Sequence, residues 1–176
     1  MVAGTGEATP GNVTPGTGTP TRYDSAAKLA QSLEFQARPS PGNPAMQIVS
    51  TGAKWEDVVG YSRAVKRGPF ICVSGTASVD QGTGQVMYRG DPYRQTRQAL
   101  AIADHALQAL GASLKDVVRT RMFVADLARD SAAISKAHGE VFGAIRPAST
   151  MVEASHLYAG VLVTLEVDAI ADGPLQ

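Results

Sequence analysis

Residues 92–124 place a helix with a single apolar stripe directly before a strand whose two faces differ, and this pairing restricts the fold more than any other feature. Over 92–110, Ala99, Leu100, Ala103, Ala106, Leu107 and Leu110 recur at helical period, and Gly111 follows where a helix usually stops. The run VVRTRMFV (117–124) then sets Val118, Thr120, Met122 and Val124 against Arg119, Arg121 and Phe123, the period of two expected of a strand. One face of the resulting sheet meets helices; the other carries two arginines.

The remaining elements fall around this pair. YSRAVKR (61–67) and PFICVSG (69–75) flank the Gly68–Pro69 break as a hairpin would, and DQGTG (80–84) supplies a second turn. A second amphipathic helix is predicted over 129–142, with Ile134, Ala137, His138, Val141 and Phe142 inward and Gly143 ending it. Two more strands are predicted at 149–155 and 161–171. The order suits an α+β sandwich, a mixed sheet with both helices packed on one face. The opposite face then needs cover, which in so short a chain is expected from another subunit, so a closed homo-oligomer is predicted.

The N-terminal region reads differently. Residues 1–22 contain five Gly, three Pro and six Thr and almost no large apolar side chains, so they are predicted to be disordered. A short helix is predicted at about 24–36, ended by ARPSPGNP. The chain therefore divides into an extension, 1–45, and a folded domain, 46–176. The extension reads as a docking segment, a linker, or an over-long start ahead of Met46.

Composition narrows the function classes. Sixteen Lys and Arg balance sixteen Asp and Glu, so there is no basic field to hold a nucleic acid. No apolar stretch is long enough for a membrane span and the N-terminus has no secretory pattern, so a cytoplasmic protein is expected. Cys72, the single cysteine, lies among apolar neighbours and reads as a buried structural thiol. His105, His138 and His156 are not at zinc-ligand spacings, so no metal site is expected.

GYSRAVKRGPFICVSGTAS (60–78), YRQTRQALAIADHALQALGASLKDVVRTRMFVAD (93–126) and RPASTMVEASHL with LVTLEVDAIA (146–171) together resemble the Rid/YjgF family, the reactive intermediate deaminases. The likeness spans about residues 47–172. It implies a chorismate-mutase-like α+β fold, assembled as a homotrimer with clefts between subunits. It also implies hydrolysis of enamines and imines such as 2-aminoacrylate to a 2-keto acid and ammonia, without metal or organic cofactor.

The resemblance carries site residues with it. Tyr61 matches the tyrosine of the family's PYSQA-like motif, and Ser74 and Gly75 match its SG motif. The deaminases hold the substrate carboxylate with an arginine in a PARS motif; here the stretch is Pro147-Ala148-Ser149-Thr150, and Ser149 stands at the arginine position. A hydroxyl cannot form the bidentate charged fork, so the main anchor of strong 2-aminoacrylate hydrolysis is missing. On the last strand, alignment through LV puts Thr164 at the water-positioning glutamate of the family's EIEAIA-type pattern and needs no gap. Alignment through the terminal AIA puts Glu166 there instead. Either way Thr164, Glu166 and Asp168 share a face.

Candidate catalytic residues are therefore Glu166, Tyr61 and Thr164, and candidate substrate-binding residues are Ser149, Ser74 and Gly75. Arg121 and Arg146 are the candidate replacement cations, Arg121 preferred for its rigid strand. The expected activity is a divergent enamine or imine deaminase acting on a small carbonyl, imine or enamine metabolite at an intersubunit cleft. The alternative is a non-catalytic trimer that binds a metabolite or docks a partner.

Overall fold

In the computed structural model, residues 35–171 are described. Their strands are β1 (Ala37–Ser40), β2 (Asn43–Val49), β3 (Ala64–Arg67), β4 (Phe70–Ala77), β5 (Val117–Val124), β6 (Ala148–Glu153) and β7 (Val163–Ile170). The helices are α1 (Lys54–Val59), α2 (Pro92–Ala109) and α3 (Leu127–Phe142). One seven-stranded sheet runs in the order β1-β2-β3-β4-β7-β5-β6. All pairs are antiparallel except β5 with β6, whose connection is α3. A parallel pair needs such a crossover, and the helix supplies it.

Both long helices lie on one face. Ala99, Leu100, Ala103, Ala106, Leu107 and Leu110 of the α2 stripe are all buried, against Ile71 and Val73 of β4 and Leu165 and Val167 of β7. Asp91 caps α2 by accepting from the Arg94 amide at 2.9 Å, Pro92 opens it, and Gly111 ends it at φ +77°. Asp126 caps α3 in the same way, so that helix begins two residues earlier than its apolar pattern suggested. Ile134, Ala137 and Phe142 are buried there, whereas His138 and Val141 are half-buried.

Three features differ from the sequence reading. ARPSPGNP is not a break but the turn of the β1–β2 hairpin, which joins the main sheet through β3; Pro41–Gly42 punctuates two strands instead of ending structure. On β5 the register slips between Val117 and Arg119, a bulge that buries Val117 and turns Val118 out, 45% exposed. Cys72, expected to be buried, is exposed on the helix-free face, because Ile71 and Val73 take the core-facing positions of β4. The segment 1–22 and the helix expected at 24–36 lie outside the described residues, save for 35–36, which are not helical.

The helix-free face carries Phe70, Cys72, Arg121, Glu166, Asp168 and Ile170. Phe70 and Ile170 stand opposite each other and are 62% and 41% exposed. Among the described residues no helix is long and apolar enough to cross a membrane.

Candidate functional site

The site is organised by a second bulge. Val73 pairs with Val167 and Thr76 with Leu165, so Ser74 and Gly75 of β4 together oppose Glu166 alone. Ser74 stays with β3: its amide donates to the Arg63 carbonyl at 2.9 Å and its hydroxyl to the Ser62 carbonyl at 2.7 Å. The Gly75 carbonyl is left free of the ladder and accepts from Arg63 Nη1 at 2.9 Å, which also donates to Thr76 Oγ1 at 3.0 Å.

Arg63 is only 7% exposed, and its Nε is buried with no hydrogen-bond partner. Burial lowers its pKa, opposed by the Tyr61 hydroxyl and the Glu56 carboxylate nearby. Glu56 has its own donors: the Thr51 amide at 3.0 Å, the Thr51 hydroxyl at 2.7 Å and the Ser50 hydroxyl. Burial alone would raise the Glu56 pKa, but these hydrogen bonds outweigh it and hold the group below its ordinary value.

Beside the bulge lies a cavity of about 540 Å³ whose wall includes Tyr61, Arg63, Gly75 and Thr164, with Trp55 and Tyr158 also lining it. A Cβ on Gly75 would sit 3.6 Å from Thr164 Oγ1, so the glycine keeps that part of the wall open. The loop before β7 is fixed from α2. Buried Gln95 donates to the Gly160 carbonyl at 2.8 Å and accepts from the Leu162 amide at 2.8 Å.

A second depression, about 760 Å³, lies on the helix-free face and is lined by Cys72, Ser74, Arg121, Glu166 and Asp168. Arg121 Nη1 contacts Glu166 Oε2 at 3.2 Å and Nη2 contacts Asp168 Oδ2 at 2.8 Å. Both outer nitrogens of the preferred replacement cation are thus engaged by carboxylates. Asp168 and then Glu166 raise the Arg121 pKa further, so the guanidinium is fixed in its charged form. Partial burial, followed by the Asp168 carboxylate, pushes the Cys72 thiol up.

Ser149 and Arg146 stand apart from both hollows. Ser149 pairs with Thr120 across β5–β6 and its hydroxyl accepts from Thr120 Oγ1 at 3.0 Å, on the side where Thr120 meets His138 Nε2 at 2.9 Å. Burial lowers the His138 pKa. Arg146 follows α3 in a left-handed turn, φ +57°, and is exposed. Tyr61, Gly75 and Thr164 therefore meet at one cavity, and Ser74, Arg121 and Glu166 meet at the other.

Sequence reasoning passed over Arg63, although a signal was present. It is two residues beyond Tyr61 in GYSRA, the spacing that puts both on one face of extended chain. Trp55, the single tryptophan, and Glu56 lie in α1, an element the apolar periodicity did not mark.

Comparison with known proteins agrees with this architecture. Residues 43–172 match the family described as Endoribonuclease L-PSP. A crystal structure of a Mycobacterium tuberculosis protein, described as a member of the highly conserved YjgF/YER057c/UK114 family, is 42% identical with a TM-score of 0.63. It covers 72% of this chain and 99% of its own. An uncharacterised protein of Streptomyces coelicolor is 37% identical over 71% of this chain and 92% of its own length. A human 2-iminobutanoate/2-iminopropanoate deaminase is 30% identical over 73% of this chain and 92% of its own length. With its mixed seven-stranded sheet, its three helices and this match across most of the described residues, the chain belongs to the YjgF/Rid family.

Proposed function

We propose that this protein is a cofactor-independent hydrolase of small imines or enamines, acting in the Tyr61–Gly75–Thr164 cavity. The observation that carries this reading is the convergence of those three residues, brought from the lead-in to β3, the β4 bulge and β7, on one hollow of about 540 Å³. The deaminase named among the relatives supports the reaction class.

In the proposed reaction water adds to the C=N carbon, giving a carbinolamine. Its nitrogen takes a proton, the hydroxyl gives one up to solvent as the C–N bond breaks, and ammonia departs to leave the carbonyl product. The Thr164 hydroxyl on the cavity wall accepts a hydrogen bond from the water and the Tyr61 hydroxyl faces the leaving nitrogen; Glu166, two residues along the same face of β7, borders the neighbouring Arg121 depression and takes the water's proton from that side of the bulge. A bound nucleic acid has less support: the chain has no net charge, and Glu166 and Asp168 sit on its open face.

Assembly is part of the proposal. A homotrimer would cover the exposed Phe70, Val118 and Ile170, and would border each cavity with a neighbouring subunit. We place the protein in the cytoplasm, where amino-acid metabolism generates imines. The test is to generate 2-iminobutanoate in place with an amino-acid oxidase and to follow semicarbazide trapping. Faster imine loss in the presence of the protein supports the proposal. Loss no faster than in buffer contradicts it and leaves a non-catalytic binding trimer.

A further inference from the structure

We infer that Arg63 is the cation that receives the carboxylate of this protein's ligand, in place of the arginine that the deaminases carry at the Ser149 position. The inference rests on the proposed use of the Tyr61 cavity. It adds an anchor that neither the resemblance nor the relatives assign.

The physical case begins with a buried guanidinium that has no direct carboxylate contact among the described residues. A guanidinium stays protonated in a protein, and a buried one is ordinarily matched by a carboxylate. Arg63 is 7% exposed, yet its direct partners are neutral oxygens, the Gly75 carbonyl and Thr76 hydroxyl on Nη1 and the Tyr61 hydroxyl, and its Nε meets none. The nearby Glu56 carboxylate attracts Arg63 from a distance, but its oxygens are occupied by Ser50 and Thr51 and it makes no direct ion pair with Arg63 among the described residues. A cation so placed on a cavity wall favours an anion entering the cavity.

The competing cation is already matched. Arg121 spends both outer nitrogens on Glu166 and Asp168, and a ligand carboxylate there would have to displace one of them. Ser149, at the position where the deaminases carry arginine, accepts a hydrogen bond from Thr120 Oγ1. Tyr61 and Thr164 line the same hollow as Arg63, so one small acid can reach the guanidinium, a phenol and a hydroxyl together. Trp55 and Tyr158 leave apolar surface for a side chain beyond the carboxylate.

The experiment compares 2-oxobutanoate, a product-type acid, with its neutral amide, on the full chain. Proton–nitrogen correlation spectra read the arginine Nε–H groups, with Arg63 assigned from Arg63→Lys. The acid is expected to shift the Arg63 resonance and the amide to leave it in place. With 2-iminobutanoate, Arg63→Met is expected to raise KM by about tenfold or more while kcat changes by less than about threefold, and Arg63→Lys to recover part of the loss. A purely structural Arg63 would weaken acid and amide alike. That result, a shift at Arg121 in place of Arg63, or no binding of the acid at millimolar concentration overturns the inference. If Arg63→Met does not fold, the spectra of the wild-type chain decide alone. Binding through Arg63 without turnover would remove the hydrolase proposal and keep this one; turnover with KM unchanged in Arg63→Met would do the reverse.

Discussion

Arg121 on β5 stands directly opposite Glu166 on β7 and binds it at 3.2 Å, while its other outer nitrogen reaches past to Asp168 at 2.8 Å. One guanidinium thus spans two carboxylates that the strand period places on the same face. This arrangement keeps Glu166 oriented beside the bulge formed by Ser74 and Gly75.

Glu166→Gln keeps the shape of that contact and leaves the Asp168 bond to Arg121 in place, so the fold should persist. If Glu166 accepts the proton from water, kcat falls by about a hundredfold. Thr164→Val should act mainly on KM. Steady-state kinetics of both variants check the assignment, and the reverse pattern would give Thr164 the water-positioning role.

The thiol of Cys72 sits across the β4–β7 ladder from Asp168, which together with partial burial raises its pKa. Asp168→Asn removes that repulsion, so more thiolate is present near neutral pH. A chromogenic disulfide should react at least about threefold faster with the variant than with the wild type. An unchanged or slower rate would show that Asp168 does not control the thiol.

Acid stability should depend on Glu56. Its pKa in the folded chain lies below its ordinary 4.5, so the unfolded chain binds more protons across the interval between the two values. The stabilisation is complete above 4.5 and is lost as pH falls through the lowered pKa. Urea midpoints measured near pH 7 and about pH 3 should differ more for the wild type than for Glu56→Gln. Equal differences would contradict the role of the Ser50 and Thr51 hydrogen bonds.

Phe70 and Ile170 form an exposed apolar pair at the end of the helix-free face. Phe70→Glu places a charge where the proposed trimer buries this face, at a position that does not touch the helix-side core. Sedimentation equilibrium should report a trimer for the wild type and a smaller species for the variant. A monomeric wild type at micromolar concentration would remove the assembly from the account.

The long elements were legible because burial on one side imposes a period. The α2 stripe from Ala99 to Leu110 and the alternation from Thr120 to Val124 both appear in the structure as read. Bulges were not legible, because one extra residue changes faces without changing composition. Val118 therefore points opposite to its reading, and Ser74 with Gly75 was visible as a motif but not as a two-against-one pairing. The β1–β2 hairpin was hidden by its prolines and glycine, which mark turns as readily as chain breaks. At the site, Tyr61, Gly75 and Thr164 were found through resemblance, and their shared cavity followed only from the register of three strands. Arg63 was missed because a lysine- and arginine-bearing strand reads as solvated, and only burial distinguishes this cation from Arg67 two turns of the pleat later.

A crystal structure of the protein with 2-oxobutanoate tests the central claim most directly. The account predicts the acid in the cavity bounded by Tyr61, Gly75 and Thr164, with its carboxylate against Arg63. Density confined to the Arg121–Glu166 depression, or a cavity left empty at saturating acid, would contradict it.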